Sequence, residues 1–208
     1  MTYILRLDTS PRATESLSRN LADRVERHLL NLDKHLGIKT RDLSTANLPH
    51  ISNDTITGFY TSEEDMTAEL EEATALSDIL IQELKAADTL IMSAPMYNFG
   101  VPSSLKAWID QIVRINQTFS FDGTSFKGLV PIRRAVLVLA YGANGYAPNG
   151  DFASMNFLEP YLTALLGFLG VGDSRVIRVE GTTGQPEDLV KAQQQASNEI
   201  SRLFIEGV

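Results

Sequence analysis

Hydroxyl-bearing residues are concentrated near the start of the chain, where a short apolar run passes into a helical pattern. Residues 9–18 carry five hydroxyl side chains. Backbone N–H groups at a helix start are unpaired and the helix dipole is positive there, so amides and hydroxyls can hold a phosphate with few cations. The stretch lacks both the P-loop pattern and the Gly-x-Gly-x-x-Gly dinucleotide pattern. Phosphate binding and simple helix capping by Ser16 or Ser18 are equally consistent with it.

A second unusual stretch, residues 94–102, follows a nearly all-apolar run. It contains Pro95 and Pro102, with Met96, Tyr97 and Phe99 between them. A stiff segment of this composition suits a flat aromatic ring system better than a sugar or a metal ion. Packing of the same side chains into the core is an equally good explanation of the composition.

The third stretch, residues 140–145, contains Gly142 and Gly145. Glycine allows the backbone to approach a ligand closely, but it also simply forms turns. No catalytic acid, base or nucleophile of the usual kind is evident in the three stretches, and His28, His35 and His50 all lie elsewhere. A phosphate-binding loop, an aromatic wall and no such group together indicate that a bound cofactor carries the chemistry.

The elements that position these stretches follow from periodicity. Apolar runs predict strands over residues 3–7, 38–43, 89–94, 135–140 and 176–179, the second of them at or near an edge. Steps of three and four predict helices over residues 17–36, 66–84, 105–113 and 155–168, and a last one from Pro186. Residues 44–64 are expected to form a surface loop, and Phe119 and Phe121 to lie in a connection.

Five strands alternating with five helices predict a single α/β domain, residues 1–208, with a doubly wound parallel sheet. The chain is too short for an eightfold barrel. Ligands of such sheets bind beyond the carboxyl ends of the strands, where the strand order switches. This rule selects the loops after Leu7, Ala94 and Leu139, which are the three stretches described above.

Composition excludes several classes of function. The 208 residues include 18 basic and 26 acidic side chains, and the net charge of −8 argues against nucleic acid as the main partner. With no cysteine, the chain has no disulfide and no thiolate nucleophile. The apolar runs are shorter than the roughly 20 residues that cross a bilayer. The first residues have no basic segment typical of a signal peptide, so a cytoplasmic location is expected.

Several short motifs resemble one enzyme family when taken in order. They are Pro95-Met96-Tyr97-Asn98-Phe99, Val101-Pro102, Leu105-Lys106, Thr118-Phe119, Lys127-Gly128-Leu129, Tyr161-Leu162 and Leu166-Gly167-Phe168. The chain resembles, from its first strand to Gly181, the FMN-dependent NADH:azo-compound and quinone oxidoreductases of flavodoxin-like fold. The resemblance implies a five-stranded sheet of order 2-1-3-4-5 with helices on both faces.

The resemblance also implies a homodimer with two FMN sites at its interface. The residues it places at the FMN phosphate are Ser10, Ser16, Leu17 and Ser18. Those beside the isoalloxazine are Met96, Tyr97, Asn98 and Phe99, with backbone amides near Asn98 facing the reactive N5. A Ser-Arg-Gly-Gly stretch lies near the pyrimidine side of the flavin in the family. The matching residues here are Ala140, Tyr141, Gly142 and Ala143, so the arginine and one glycine are replaced.

The implied reaction has two halves: NADH or NADPH reduces FMN and leaves, and a quinone or an azo compound then takes two electrons. No side chain needs to act as a catalytic acid or base, and Phe119, Phe121 and Tyr60 are candidates for stacking against the substrate. Two alternatives remain open. A flavodoxin-type electron carrier would also be acidic, but the chain lacks the Thr-x-Thr-Gly-x-Thr phosphate loop. A binding module that has lost its flavin would account for the altered third stretch.

Overall fold

A parallel β-sheet runs through the computed structural model, which describes residues 3–204. In chain order the strands are β1 (Tyr3–Asp8), β2 (Gly37–Asp42), β3 (Thr89–Pro95), β4 (Phe119–Phe121), β5 (Phe126–Gly128), β6 (Arg134–Ala140) and β7 (Asp173–Val179). The main sheet has the order β2-β1-β3-β6-β7 with all neighbours parallel, while β4 and β5 form a separate antiparallel hairpin. Counting only the five main strands, the order is 2-1-3-4-5, which confirms the doubly wound sheet with β2 at an edge.

Helices cover both faces of this sheet. They are α1 (Leu17–Leu32), α2 (Asn53–Tyr60), α3 (Ala68–Ala86), α4 (Ser103–Ile112), α5 (Glu159–Leu169) and α6 (Pro186–Ile200). The helices α1 and α6 pack on one face, and α3, α4 and α5 pack on the other. Successive residues of a strand point to opposite faces. In β6, therefore, Leu137 and Leu139 face the second group of helices, whereas Val138 and Ala140 face α1 and α6.

The predicted surface loop over residues 44–64 is wrong in part, because it contains α2. Ser52 starts this helix: its hydroxyl accepts a hydrogen bond from Thr55 N at 3.1 Å, and Thr55 Oγ1 accepts one from Ser52 N at 3.3 Å. Gly58 then lets α2 pack closely on α3, since a Cβ at this position would be 2.6 Å from the Thr74 methyl group. A capping box and one small residue thus stabilise a helix that shows no clear apolar period.

Two helix boundaries also differ from their predictions. The first helix ends at Leu32 rather than Leu36, because Asp33 is extended and its side chain accepts a hydrogen bond from His35 N. The fourth predicted helix begins at Glu159 rather than residue 155. At this helix start, Asn156 Oδ1 accepts hydrogen bonds from Leu158 N and from Glu159 N, both at 3.1 Å. In both places a polar side chain competes with the helical backbone for hydrogen bonds.

Phe119 and Phe121 belong to the hairpin β4–β5 rather than to an irregular connection. The hairpin packs against the end of α5, where the rings of Phe119 and Phe168 lie 4.9 Å apart. Gly170 ends α5 as its C-cap in the left-handed conformation, with φ of +100°, which glycine adopts readily. Gly128 lies directly against this helix end, and a Cβ on it would be 2.2 Å from the backbone of Leu169.

Within residues 3–204, no helix combines the length and the apolar character needed to cross a membrane.

The edge strand β2 is tied to α3 through the carboxylate of Glu83, whose side chain is only 8% exposed. It accepts a hydrogen bond from Arg41 Nε at 2.7 Å and lies 3.0 Å from Lys39 Nζ. Burial alone would raise the pKa of Glu83, but the hydrogen bonds from Arg41 and Lys39 outweigh burial and hold the pKa below its usual value. Its stabilising contribution is therefore present above the unfolded pKa of 4.5 and is lost as the pH falls through the folded pKa.

We expect Glu83→Gln to lower the free energy of unfolding at pH 7 by about 1–2 kcal/mol, because Arg41 loses a charged partner. The difference in free energy of unfolding between the variant and the wild type should disappear as the pH falls below about 4, where the wild-type carboxylate also becomes neutral. Urea unfolding between pH 3 and 7 measures this. Glu72→Gln, an exposed position on the same helix, is the control. A gap that stays constant across this pH range would contradict the assignment.

Candidate functional site

A cavity of about 470 Å³ opens at the carboxyl ends of the parallel strands. Its lining residues are Ser10, Arg12, Glu15, Ser16, Leu17, Ser18, Pro95, Met96, Tyr97, Ala140, Gly142, Thr182, Thr183 and Leu189. The three loops selected from the sequence thus meet around one space, at the position where doubly wound sheets bind ligands. A fourth loop, after β7, joins them.

The start of α1 presents unpaired donors to this cavity. Ser16 is the N-cap, and its hydroxyl accepts a hydrogen bond from Arg19 N at 3.3 Å and lies 3.1 Å from the Ser18 hydroxyl. Leu17 and Ser18 occupy the first two helical positions, where an N–H group has no acceptor inside the helix. Among the described residues no other group accepts from these two amides. Two free amides and two hydroxyls therefore meet at the positive end of a helix, an arrangement suited to an anion.

A tight turn follows Met96 and Tyr97, which line the cavity. Tyr97 N donates to Gly100 O at 3.2 Å and Gly100 N donates back at 3.1 Å, so Asn98 and Phe99 form the two-residue tip of a small hairpin. Both tip residues have positive φ, +47° and +69°, as this type of turn requires. Positive φ is a strained conformation for a bulky residue such as Phe99. Asn98 and Phe99 are not among the residues that line the cavity. Their backbone N–H groups take no part in the two hydrogen bonds between Tyr97 and Gly100.

Residues 140–143 do not all face the cavity. Ala140 and Gly142 line it, whereas Ala143 is not among the lining residues and Tyr141 is fully buried. The backbone N–H and C=O of Tyr141 are also both paired, with Val179 O at 2.8 Å and with Thr182 N at 3.0 Å. Tyr141 is therefore not brought to the cavity, contrary to the expectation from the sequence. Along the strand it follows Ala140 and points to the opposite face.

Tyr141 instead anchors the loop that follows it. Its hydroxyl lies 3.3 Å from Glu159 Oε2 and 3.3 Å from Asn156 Nδ2, and its ring stacks on Tyr146. Burial is the main cause that raises the pKa of Tyr141 well above its ordinary value, so the phenol stays protonated. Arg178 neutralises Glu159 through two hydrogen bonds. Tyr141, which stands where the family has an arginine, is thus packed in the core rather than at the cavity.

Thr182 and Thr183 line the cavity although the sequence analysis did not select them. They follow β7, and Thr183 Oγ1 donates to Gly142 O at 2.9 Å, which joins this loop to the third stretch. The general rule about carboxyl strand ends would have found them had it been applied to the last strand as well.

The aromatic residues considered for substrate stacking lie outside this cavity in the single chain. Tyr60 is at the end of α2 and 76% exposed. Phe119 and Phe121 pack with Phe126 in the hairpin region. Phe157, which the sequence analysis did not select, is also an exposed aromatic side chain, with 63% of its surface accessible. Its N–H donates to Phe99 O at 2.9 Å, so Phe157 lies beside the tip of the tight turn.

Few charged groups line the cavity. Arg12 and Glu15 are both exposed side chains at its margin and have opposite charges. The nearby Arg19 is directed away from the lining, toward Asp42. In the described part of the chain, no group of three or more histidine or carboxylate side chains is placed to hold a metal ion. The free amides and hydroxyls on one side of the cavity and the apolar Met96 and Tyr97 on the other suit an organic anion with a flat apolar portion.

The 2-1-3-4-5 sheet, with its ligand cavity at the carboxyl strand ends, defines a flavodoxin-like protein. Residues 2–203 match the model of a family described by its flavodoxin-like fold, and the chain belongs to that family. It belongs more closely to the family of FMN-dependent NADH:quinone oxidoreductases. It is 47% identical to a protein of that name from Xanthobacter autotrophicus over 85% of both chains. It is also 37% identical to one from Beijerinckia indica over 99% of this chain and 100% of the relative.

Solved structures show the same fold. The azoreductase from Bacillus anthracis strain Sterne has a TM-score of 0.87 at 22% identity and covers 97% of each chain. An FMN-dependent NADH-azoreductase from Bacillus anthracis strain Ames Ancestor, solved in complex with FMN, has a TM-score of 0.83 at 24% identity. It covers 98% of this chain and 99% of that one. At these identities the likeness concerns the fold.

Proposed function

We propose that this protein is an FMN-dependent NADH:quinone oxidoreductase that also reduces azo compounds. The observation that carries the proposal is the meeting, around one cavity, of the unpaired amides of Leu17 and Ser18 with the apolar wall of Met96 and Tyr97. Relatives that align over most of the chain have this name, which supports the same conclusion. A flavodoxin-type carrier and a flavin-free binding module are not favoured, because the chain shares its family with named enzymes.

The cavity residues fit FMN. The amides of Leu17 and Ser18 and the hydroxyls of Ser10 and Ser16 would hold its phosphate. Met96 and Tyr97 would flank its ring. The amides at Asn98 and Phe99 are donors suited to the polar edge of the ring, and Ala140 and Gly142 would lie on its pyrimidine side. Bound FMN supplies two-electron transfer between a nicotinamide and an oxidised acceptor.

The part played by the chain is to position the two reactants in turn. Glu15 and Arg12, at the exposed margin, are the charged side chains of the cavity lining, so the chain offers no buried acid or base there. Because both reactants would use this cavity at the strand ends, NADH or NADPH would have to leave it before a quinone or an azo compound could enter. Rate enhancement then comes from holding the reacting rings in contact and excluding water.

The working unit we propose is a homodimer. Phe152, Met155 and Phe157, in the segment before α5, are substantially exposed in the single chain, and apolar side chains exposed together favour a protein–protein contact. A second copy would cover them and could bring Tyr60 or the hairpin residues Phe119 and Phe121 toward the substrate. The cytoplasmic location expected from the sequence stays a prediction.

The purified protein, incubated with FMN, is expected to gain a yellow flavin spectrum that NADH bleaches under nitrogen and that benzoquinone restores. With NADH and quinone in excess, we expect repeated turnover at about 1 per second or faster. A mixture of FMN, NADH and quinone without protein is the control. Bleaching without repeated turnover would indicate an electron carrier, and a protein that stays colourless would indicate a binding module.

A further inference from the structure

Arg19 joins three segments of the chain beside the cavity. It is the third residue of α1, and its Nε donates to Ser10 O at 3.0 Å. Its Nη1 and Nη2 donate to the two oxygens of Asp42 at 2.8 and 2.7 Å, and Nη2 also donates to Ser44 Oγ at 2.9 Å. The side chain is only 13% exposed. One guanidinium group therefore links the end of β1, the first turn of α1 and the end of β2.

The loop between Ser10 and Ser16 has little else to hold it. Residues 11–15 are all exposed. Among residues 3–204, the hydrogen bonds of this segment remain local: Arg12 N donates to Ser10 Oγ at 3.3 Å, and Glu15 N donates to Arg12 O at 2.9 Å. The hydrogen bonds from the Arg19 side chain to Ser10 O therefore connect the two ends of this loop directly.

The charge of Arg19 is neutralised where it stands. Asp42 accepts two hydrogen bonds from it, and Asp8 Oδ2 lies 3.8 Å from its Nη1. Burial alone would raise the pKa of Asp42, but the hydrogen bonds from Arg19 and Ser44 outweigh burial and hold the pKa below its usual value. The carboxylate of Asp42 is therefore ionised at neutral pH. Because its guanidinium is directed toward Ser10 O, Asp42 and Ser44, and Arg19 is not among the residues that line the cavity, it is not placed to bind a phosphate directly.

We infer that Arg19 is a positioning residue for phosphate recognition: through the Ser10 carbonyl and Asp42 it holds the two hydroxyl-bearing ends of the loop at the spacing that FMN requires. This inference rests on the proposed function. If it is correct, replacing Arg19 should weaken the binding of ligands that carry the phosphate. The affinity for riboflavin, which has the same ring system without the phosphate, should not change.

The test compares FMN with riboflavin by titration of the flavin-free protein, followed by quenching of flavin fluorescence. We expect Arg19→Met to weaken FMN binding about 10- to 100-fold and to leave riboflavin binding within about twofold. Arg41→Gln is the matched control, because it breaks another arginine–carboxylate pair at the neighbouring residue of β2, away from the cavity. It should change neither affinity. Equal weakening of both flavins by Arg19→Met would indicate a general loss of structure and overturn the inference.

A second variant separates positioning from charge. The double change Arg19→Met with Asp42→Asn removes both charges, so it should bind FMN as weakly as Arg19→Met if spacing is the cause. Recovery of wild-type affinity would show an effect of charge alone and overturn the inference. If Arg19→Met does not fold, Arg19→Lys replaces it, and a ratio of FMN to riboflavin affinity equal to that of the wild type would likewise overturn it. A wild-type protein that binds neither flavin would overturn the proposed function as well.

Discussion

Replacing Ser16 by aspartate is expected to lower the affinity for FMN about a thousandfold while leaving the stability of the protein unchanged or slightly higher. Aspartate is as good an N-cap as serine, so Arg19 N keeps its acceptor. Its carboxylate would, however, stand beside the free amides of Leu17 and Ser18, where the phosphate is proposed to bind. Two like charges 4 Å apart repel by about 4 kcal/mol at an effective dielectric constant of about 20, which corresponds to about a thousandfold in affinity.

The matched control for this variant is Thr67→Asp. Thr67 is the N-cap of α3 and accepts a hydrogen bond from Leu70 N, but it lies away from the cavity. It should leave FMN binding unchanged. Titration with FMN measures the affinity of each variant, and thermal unfolding of the flavin-free variants measures their stability. Unaltered FMN affinity in Ser16→Asp would place the phosphate elsewhere.

Gly128→Ala is expected to lower the free energy of unfolding by about 3 kcal/mol or more, a large effect for the addition of one methyl group. The new Cβ would be 2.2 Å from both Leu169 C and Gly170 N. These are backbone atoms at the end of α5, so no side-chain rotation can relieve the contact. The hairpin β4–β5 and the helix would have to separate.

Gly167→Ala is the control for this second variant, since a Cβ at Gly167, within α5, would meet nothing within 4 Å. It should be neutral or stabilise the protein by up to about 1 kcal/mol, because alanine favours a helix more than glycine does. Urea unfolding of the two variants side by side gives the comparison. Similar stability for both would show that the helix end yields easily at Gly128.

The sequence predicted the fold well where one face of an element is continuously apolar. The buried run of β6 and the helical spacing from Met66 to Leu84 are examples, and both elements formed near the expected residues. Prediction failed where polar side chains decide the outcome. The helix α2 depends on the hydrogen bonds of Ser52 and Thr55, and the start of α5 depends on Asn156. Such contacts are specific to individual atoms and leave little trace in a hydrophobic pattern.

The three loops of the candidate site were predicted, but the direction of each side chain was not. Tyr141 was expected at the cavity because residues 140–143 match the Ser-Arg-Gly-Gly stretch that lies beside the flavin in the family. The alternation along β6 already indicates that residue 141 shares the face of Leu137 and Leu139. The turn at Asn98 and Phe99 is different: such turns usually carry glycine at the second position, so the conformation of Phe99 could not be read from its residue type.

The uncharged donors at the start of α1 have a consequence for the whole particle. Arg19, which follows these donors in α1, is already neutralised by Asp42, and Arg12 and Glu15 at the cavity margin together add no net charge. The phosphate of FMN carries a charge of about −1.5 to −2 at pH 7, and it would add to a chain whose formal net charge is already −8. The loaded form therefore migrates faster toward the anode and is retained longer on an anion-exchange column, so the two forms can be separated without a label.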